Sequence, residues 1–145
     1  MKNLEINLES GPIIGFKDGK ILKYLGVPYG HIPARFERAT EPENWTTPRN
    51  CDKSYDYPQN QELNARLAKF LPVMSNPPYP MSQENELLLD VHVPVNGEKL
   101  PVMVYIHGGS YQIGGPGSES FIGSKTDKFC FYPACTIACK LPSYF

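Results

Sequence analysis

The sequence predicts an α/β fold, with a β-hairpin, further strands and a short helix. Three observations predict it. Asp18-Gly19, a pair suited to positive φ, sits between two apolar runs. Leu63, Leu67, Phe70 and Leu71 recur at the spacing of one helical face. Val102-Met103-Val104-Tyr105-Ile106 is apolar at every position, the pattern of a strand buried on both faces of a sheet.

Taken in order, the hairpin occupies residues 11–29. Ile13-Ile14-Gly15-Phe16 is its first strand and Ile21-Leu22-Lys23-Tyr24-Leu25 the return. Gly26-Val27-Pro28-Tyr29 is expected to leave the sheet. Prolines 33, 42, 48 and 58 punctuate the next stretch and predict loop with short turns. A short helix follows over 61–71, with Asn60 as N-cap and Pro72 as its stop. Its apolar stripe reads as a packing face. The proline cluster from Pro72 to Pro80 predicts a long irregular loop. Leu87 to Pro94 alternates. Leu87, Leu89, Val91 and Val93 share one face, and Leu88, Asp90 and His92 share the other, expected to be partly wet. Asn96-Gly97 marks a tight turn into the apolar strand 102–106. Gly114 to Ser118 is a flexible loop.

Composition narrows the function classes. At 145 residues the chain is about one domain. Its formal net charge is −1, and the closest approach to a basic group is Lys17, Lys20 and Lys23 around the hairpin turn. No nucleic-acid partner is expected. No apolar run reaches the roughly 18 residues of a membrane span. Met1 to Ser10 lacks the apolar core of a secretory signal. Cys51 stands alone, and Cys130, Cys135 and Cys139 crowd the tail without a nearby histidine. That spacing matches no zinc pattern, so the thiols read as free and no metal or cofactor is expected. The tail from Phe129 to Phe145 has no acidic residue and no period. It reads as foreign to what precedes it, of the kind a frame shift or unspliced stretch produces; a short genuine helix or strand is the alternative.

The chemistry concentrates after strand 102–106. His107-Gly108-Gly109-Ser110-Tyr111 follows it directly. Small residues let the backbone bend sharply there and leave N–H groups aimed at open space, the construction of an oxyanion hole. Gly108, Gly109 and Ser110 are the candidate catalytic residues, as this turn alone. No serine in the chain stands within Gly-x-Ser-x-Gly. Gly109 to Gly114 has the outline of a phosphate loop, but Gly115-Pro116 replaces the lysine and hydroxyl residue it requires, which excludes nucleotide binding.

Four segments occur in the order of one family's motifs. Tyr24-Leu25-Gly26-Val27-Pro28-Tyr29-Gly30 is similar to F-x-G-I-P-Y-A, and Arg35-Phe36 to the R-F that follows it. Glu84 through Pro94 is similar to E-D-C-L-Y-L-N-V-Y-V-P, and His107 through Tyr111 to H-G-G-G-F. Over residues 11 to 118 the chain resembles the type-B carboxylesterases, the esterase and lipase branch that includes the cholinesterases. The resemblance implies the N-terminal portion of an α/β-hydrolase fold, with residues 1–124 as part of that domain and 125–145 as an atypical tail. It implies hydrolysis of small-molecule carboxylic esters through a serine nucleophile, a histidine base and a carboxylate. It assigns the oxyanion donors to the N–H groups of Gly109 and Ser110, with His107 in a structural role. The triad acid and histidine fall beyond this chain in the family, and His31, His92 and His107 all precede the expected nucleophile. The chain alone is therefore expected to be inactive.

The departures carry information too. The family's cysteine in the third motif is Glu86 here, and its disulfide partner is Tyr57. Loss of both fits a reducing compartment, so a cytoplasmic location is expected. Residues 57–86 hold no tryptophan, which disfavours a choline ester. Ser110 replaces the third glycine, and at positive φ its Cβ would cost about 1–2 kcal/mol. Glu86 and Asp90 lie on one strand face without a cleft beside them, His31 reads as a surface residue, and His92, on the polar face of its strand, as partly exposed. The competing readings are a non-catalytic pseudo-enzyme or interaction module, self-associating through open sheet edges, and more weakly a thiol or metal function of the tail.

Overall fold

The computed structural model describes residues 4–34, 36–55, 86–95 and 99–106, and the backbone of 135–139. Eight strands run through them: β1 (Glu5–Asn7), β2 (Pro12–Ile14), β3 (Phe16–Asp18), β4 (Ile21–His31), β5 (Arg49–Asn50), β6 (Glu86–Pro94), β7 (Val102–Ile106) and β8 (Cys135–Cys139). They form a three-stranded sheet in the order β1-β2-β5 and a five-stranded sheet in the order β3-β4-β6-β8-β7. The helix expected at 61–71, the proline-rich loop, the Asn96-Gly97 turn and the 114–118 loop lie outside the described residues.

The hairpin is present, with its turn one residue later than the sequence suggests. Phe16 pairs with Lys23, Lys17 with Leu22 and Asp18 with Ile21. The connection is Gly19-Lys20, with Gly19 at a φ of 56°. Its expected first strand is broken in two at Gly15. A Cβ there would lie 2.4 Å from the Lys23 carbonyl and 2.5 Å from the Tyr24 ring. The bare backbone lets the chain cross from one sheet to the other over Tyr24. β2 consequently pairs with β1 and, in parallel, with β5.

Gly26 to Tyr29 do not leave the sheet. β4 continues to His31 against β6, with register shifts between Tyr24 and Val27 and between Pro28 and Gly30. Gly26 occupies the first irregularity at a φ of 72°, a conformation open to glycine. Proline is tolerated in a strand beside such an irregularity because the ladder is already interrupted.

Ile13, Tyr24, Val27 and Cys51 form the buried core, with Leu8, Leu22, Trp45, Leu89 and Val91 packed around them. The three-stranded sheet thus covers one face of β4 and β6. Trp45 pins this cover: its Nε1 donates to the Pro12 carbonyl at 2.8 Å, and the Arg49 guanidinium lies 4.3 Å from its ring centroid.

Two expectations about burial are corrected. Leu88 and Asp90 are as buried as Leu87, so that face of β6 is dry at these two positions and only His92 on it is half-exposed. β7 is not buried: Val102, Met103, Val104 and Ile106 are about half exposed. β7 is the outermost strand of the five, and the core cluster lies over β4 and β6, away from it. An apolar strand sequence reports a need for cover and not where the cover sits. Within the tail, Cys135–Cys139 form β8, antiparallel to β6 and parallel to β7.

Candidate functional site

β7 ends at Ile106, immediately before His107. Its register with β8 runs from Val102–Cys135 to Ile106–Cys139 in parallel, so the carboxyl ends of both strands leave one side of the sheet. In α/β sheets the crevice beyond strand carboxyl ends is where ligands bind. Gly108, Gly109 and Ser110 follow from that end, and they lie outside the described residues, as does His107.

The described residues contain a different polar centre. Asp90, on β6, is 1% exposed. Its Oδ1 accepts from the Gly26 amide at 2.8 Å, and its Oδ2 accepts from the Ser54 hydroxyl. Gly26 is at the β4 irregularity, and Ser54 follows a segment tied to β4 by the Leu25 amide donating to the Cys51 carbonyl at 2.9 Å. A buried charge is tolerable when donors satisfy it, and the two donors arrive from two different chain segments. Glu86, four residues earlier, is ion-paired with Arg49 at 3.2 Å. The two carboxylates considered together in the sequence thus take separate partners.

His92 is half-buried, as its place on the strand suggested, and its Nε2 has no hydrogen-bond partner. Burial, and then the charge of Lys23 opposite it in the ladder, push its pKa down to about 4. Lys23 itself bonds Asp18 at 2.6 Å, which holds the Asp18 carboxyl below its ordinary value. Cys51 is a free, buried thiol, pushed up to about 11 chiefly by burial. A buried neutral thiol of this kind is a packing residue and a poor nucleophile. His31 closes β4, with its backbone paired to Thr40. Among the described residues no group of three or more His, Cys, Asp or Glu could hold a metal ion. Among them, too, no helix is long and apolar enough to cross a membrane.

The Asp90 cluster was not anticipated. Its one signal in the sequence is a carboxylate set in the apolar run Leu87-Leu88-Leu89-Asp90-Val91, where a charge needs a private partner. Ser54 carries no such signal, because only the fold brings it to β6.

The sequence pattern of the carboxylesterase family matches residues 2–127. The chain belongs to that family. It is 30% identical over 123 residues to gut esterase 1 of Caenorhabditis elegans, covering 77% of this chain and 20% of the relative. Para-nitrobenzyl esterase of Bacillus subtilis is 28% identical over 125 residues, covering 83% and 24%. Among solved structures, a thermophilic PNB esterase superposes with a TM-score of 0.77 at 24% identity, over 96% of this chain and 28% of that one. The chain carries the N-terminal portion of an α/β-hydrolase fold, and spans about a fifth to a quarter of the length of these two esterase relatives.

Proposed function

We propose that this chain supplies the oxyanion-hole turn of a carboxylic-ester hydrolase acting on small-molecule esters. The observation that carries the reading is the end of β7 at Ile106, on the side of the sheet where β8 also ends, followed at once by His107-Gly108-Gly109-Ser110. In this reading the amides of Gly109 and Ser110 donate to the oxygen that becomes negative when a serine attacks the ester carbonyl. The alcohol then leaves, and water releases the acyl group from the serine. One such donor is worth about 100- to 1000-fold in rate. The chain lacks a serine in Gly-x-Ser-x-Gly, so it turns over no ester by itself. The compartment that fits the missing disulfide cysteines is the cytoplasm.

The test has two arms. The purified chain, offered a short-chain p-nitrophenyl ester, gives no burst; a stoichiometric burst abolished by a serine-directed phosphonate overturns the assignment of an inactive chain. In the second arm the chain is co-expressed with a relative deprived of its own N-terminal portion. Activity recovered in the complex falls at least about 100-fold with Gly109→Pro, which removes one donor. Recovered activity indifferent to that substitution, with the complex intact, overturns the oxyanion role.

The second reading, a non-catalytic interaction module, is favoured by one observation: the half-exposed apolar residues of the outermost strand β7. Apolar edges of this kind recruit partners or self-associate.

A further inference from the structure

We propose that the Asp90 carboxylate is an acid-sensitive latch that holds the irregular bend of β4 against residues 51–55. Three segments meet at it. β4 contributes the Gly26 amide, held at a φ of 72°. The 51–55 segment contributes the Ser54 hydroxyl, and it also closes over Gly26. A Cβ at Gly26 would lie 2.6 Å from the Tyr55 ring and 2.7 Å from the Lys53 carbonyl. β6 contributes the carboxylate itself, 1% exposed.

Two donors converge on the two oxygens of one acid, the arrangement that favours the charged form. Adding a proton turns one of those oxygens into a donor. The Ser54 hydroxyl must then rotate to accept, and the Gly26 bond loses its charge assistance. The elements that meet at the latch carry other ionisable groups. Lys23, Tyr24, Tyr29 and His31 lie on β4, and Arg49, Cys51, Asp52, Lys53 and Tyr55 lie on the 49–55 stretch. Glu86 and His92 share β6, and β8 places Ala138 opposite Asp90. The charges of Arg49, Asp52 and Asp90 all act on the Cys51 thiol, so these groups share one electrostatic neighbourhood.

The experiment follows the Gly26 amide by NMR in the full chain carrying His92→Gln, which removes from the titration the imidazole two positions along β6 from Asp90. Between pH 7 and pH 3 its proton resonance moves in a single step. Its exchange, corrected for the intrinsic pH effect, becomes about tenfold faster, the difference between a charge-assisted and a neutral hydrogen bond. Asp90→Asn abolishes the step, and Ser54→Ala moves its midpoint to higher pH by removing a donor to the charged form. A Gly26 amide that does not move, a step unchanged in Asp90→Asn, or a midpoint unchanged in Ser54→Ala overturns the proposal. Should Asp90→Asn fail to fold, the Ser54→Ala comparison still decides.

Discussion

Lys23 stands opposite His92 in the β4–β6 ladder, with its ammonium turned to Asp18 at 2.6 Å. The imidazole therefore faces a cation while one of its nitrogens is sealed from water without a partner. The arrangement suits a neutral histidine and penalises a charged one.

Acid sensitivity follows from that penalty. His92 has a pKa of about 4 when folded against an ordinary 6.5. Between those values the unfolded chain takes up a proton that the folded chain refuses, so stability falls as the pH drops from about 6.5 to about 4. The contribution is flat outside that window. The expected loss is about 2 kcal/mol, smaller than a fully buried site would give. Thermal unfolding measured across the window checks it, and His92→Gln should flatten that part of the profile.

Replacing Gly26 with alanine should destabilise the fold by about 2–4 kcal/mol. The residue has a left-handed φ, which costs an L side chain about 1–2 kcal/mol. The new methyl would also press on the Tyr55 ring and the Lys53 carbonyl. Gly19→Ala is the control. It too has positive φ, but nothing lies within 4 Å of its added Cβ, so it should lose only the backbone cost. Denaturant midpoints of the pair separate strain from crowding.

Trp45→Phe should cost about 1–3 kcal/mol, because the Pro12 carbonyl loses its donor and Arg49 a better aromatic face. Chemical denaturation followed by circular dichroism measures the loss. In the parent chain Trp45 is the one tryptophan. Its fluorescence should change in the same transition as the secondary structure, since it packs directly against the core.

Cys51 should resist alkylation in the folded chain. Its thiol is buried and pushed up to about 11, so at pH 8 both access and thiolate are lacking. Iodoacetamide labelling, read by peptide mass mapping to separate Cys51 from the tail cysteines, should be at least about 100-fold slower than in denaturant. Labelling at equal rates would mean that the core around Ile13 and Tyr24 opens readily.

The local signals in the sequence located strands better than they located surroundings. Asp18-Gly19 announced the hairpin because turn chemistry is local. Leu87 to Pro94 and Val102 to Ile106 appeared as strands, since alternation and β-branching are visible without partners. Gly15 and Gly26 were harder to interpret. One breaks a strand between sheets and the other keeps a strand going through a bend, and what separates them is what packs above: Tyr24 at Gly15, Tyr55 at Gly26. The partners of Asp90 were hidden for the same reason, lying 64 and 36 residues away in the chain. The oxyanion turn was read from small residues after an apolar strand, and only the strand itself lies among the described residues.

The order β6-β8-β7 also fixes a sequence of events during folding. Strand 102–106 has its described place in the sheet only beside strand 135–139, so it cannot dock until residues some thirty positions later have left the ribosome. Through that interval an uncharged stretch of strong β-formers stands open to any other chain in the same condition. Yield from the cell should therefore depend on temperature and chaperone supply more steeply than the stability of the finished fold would suggest.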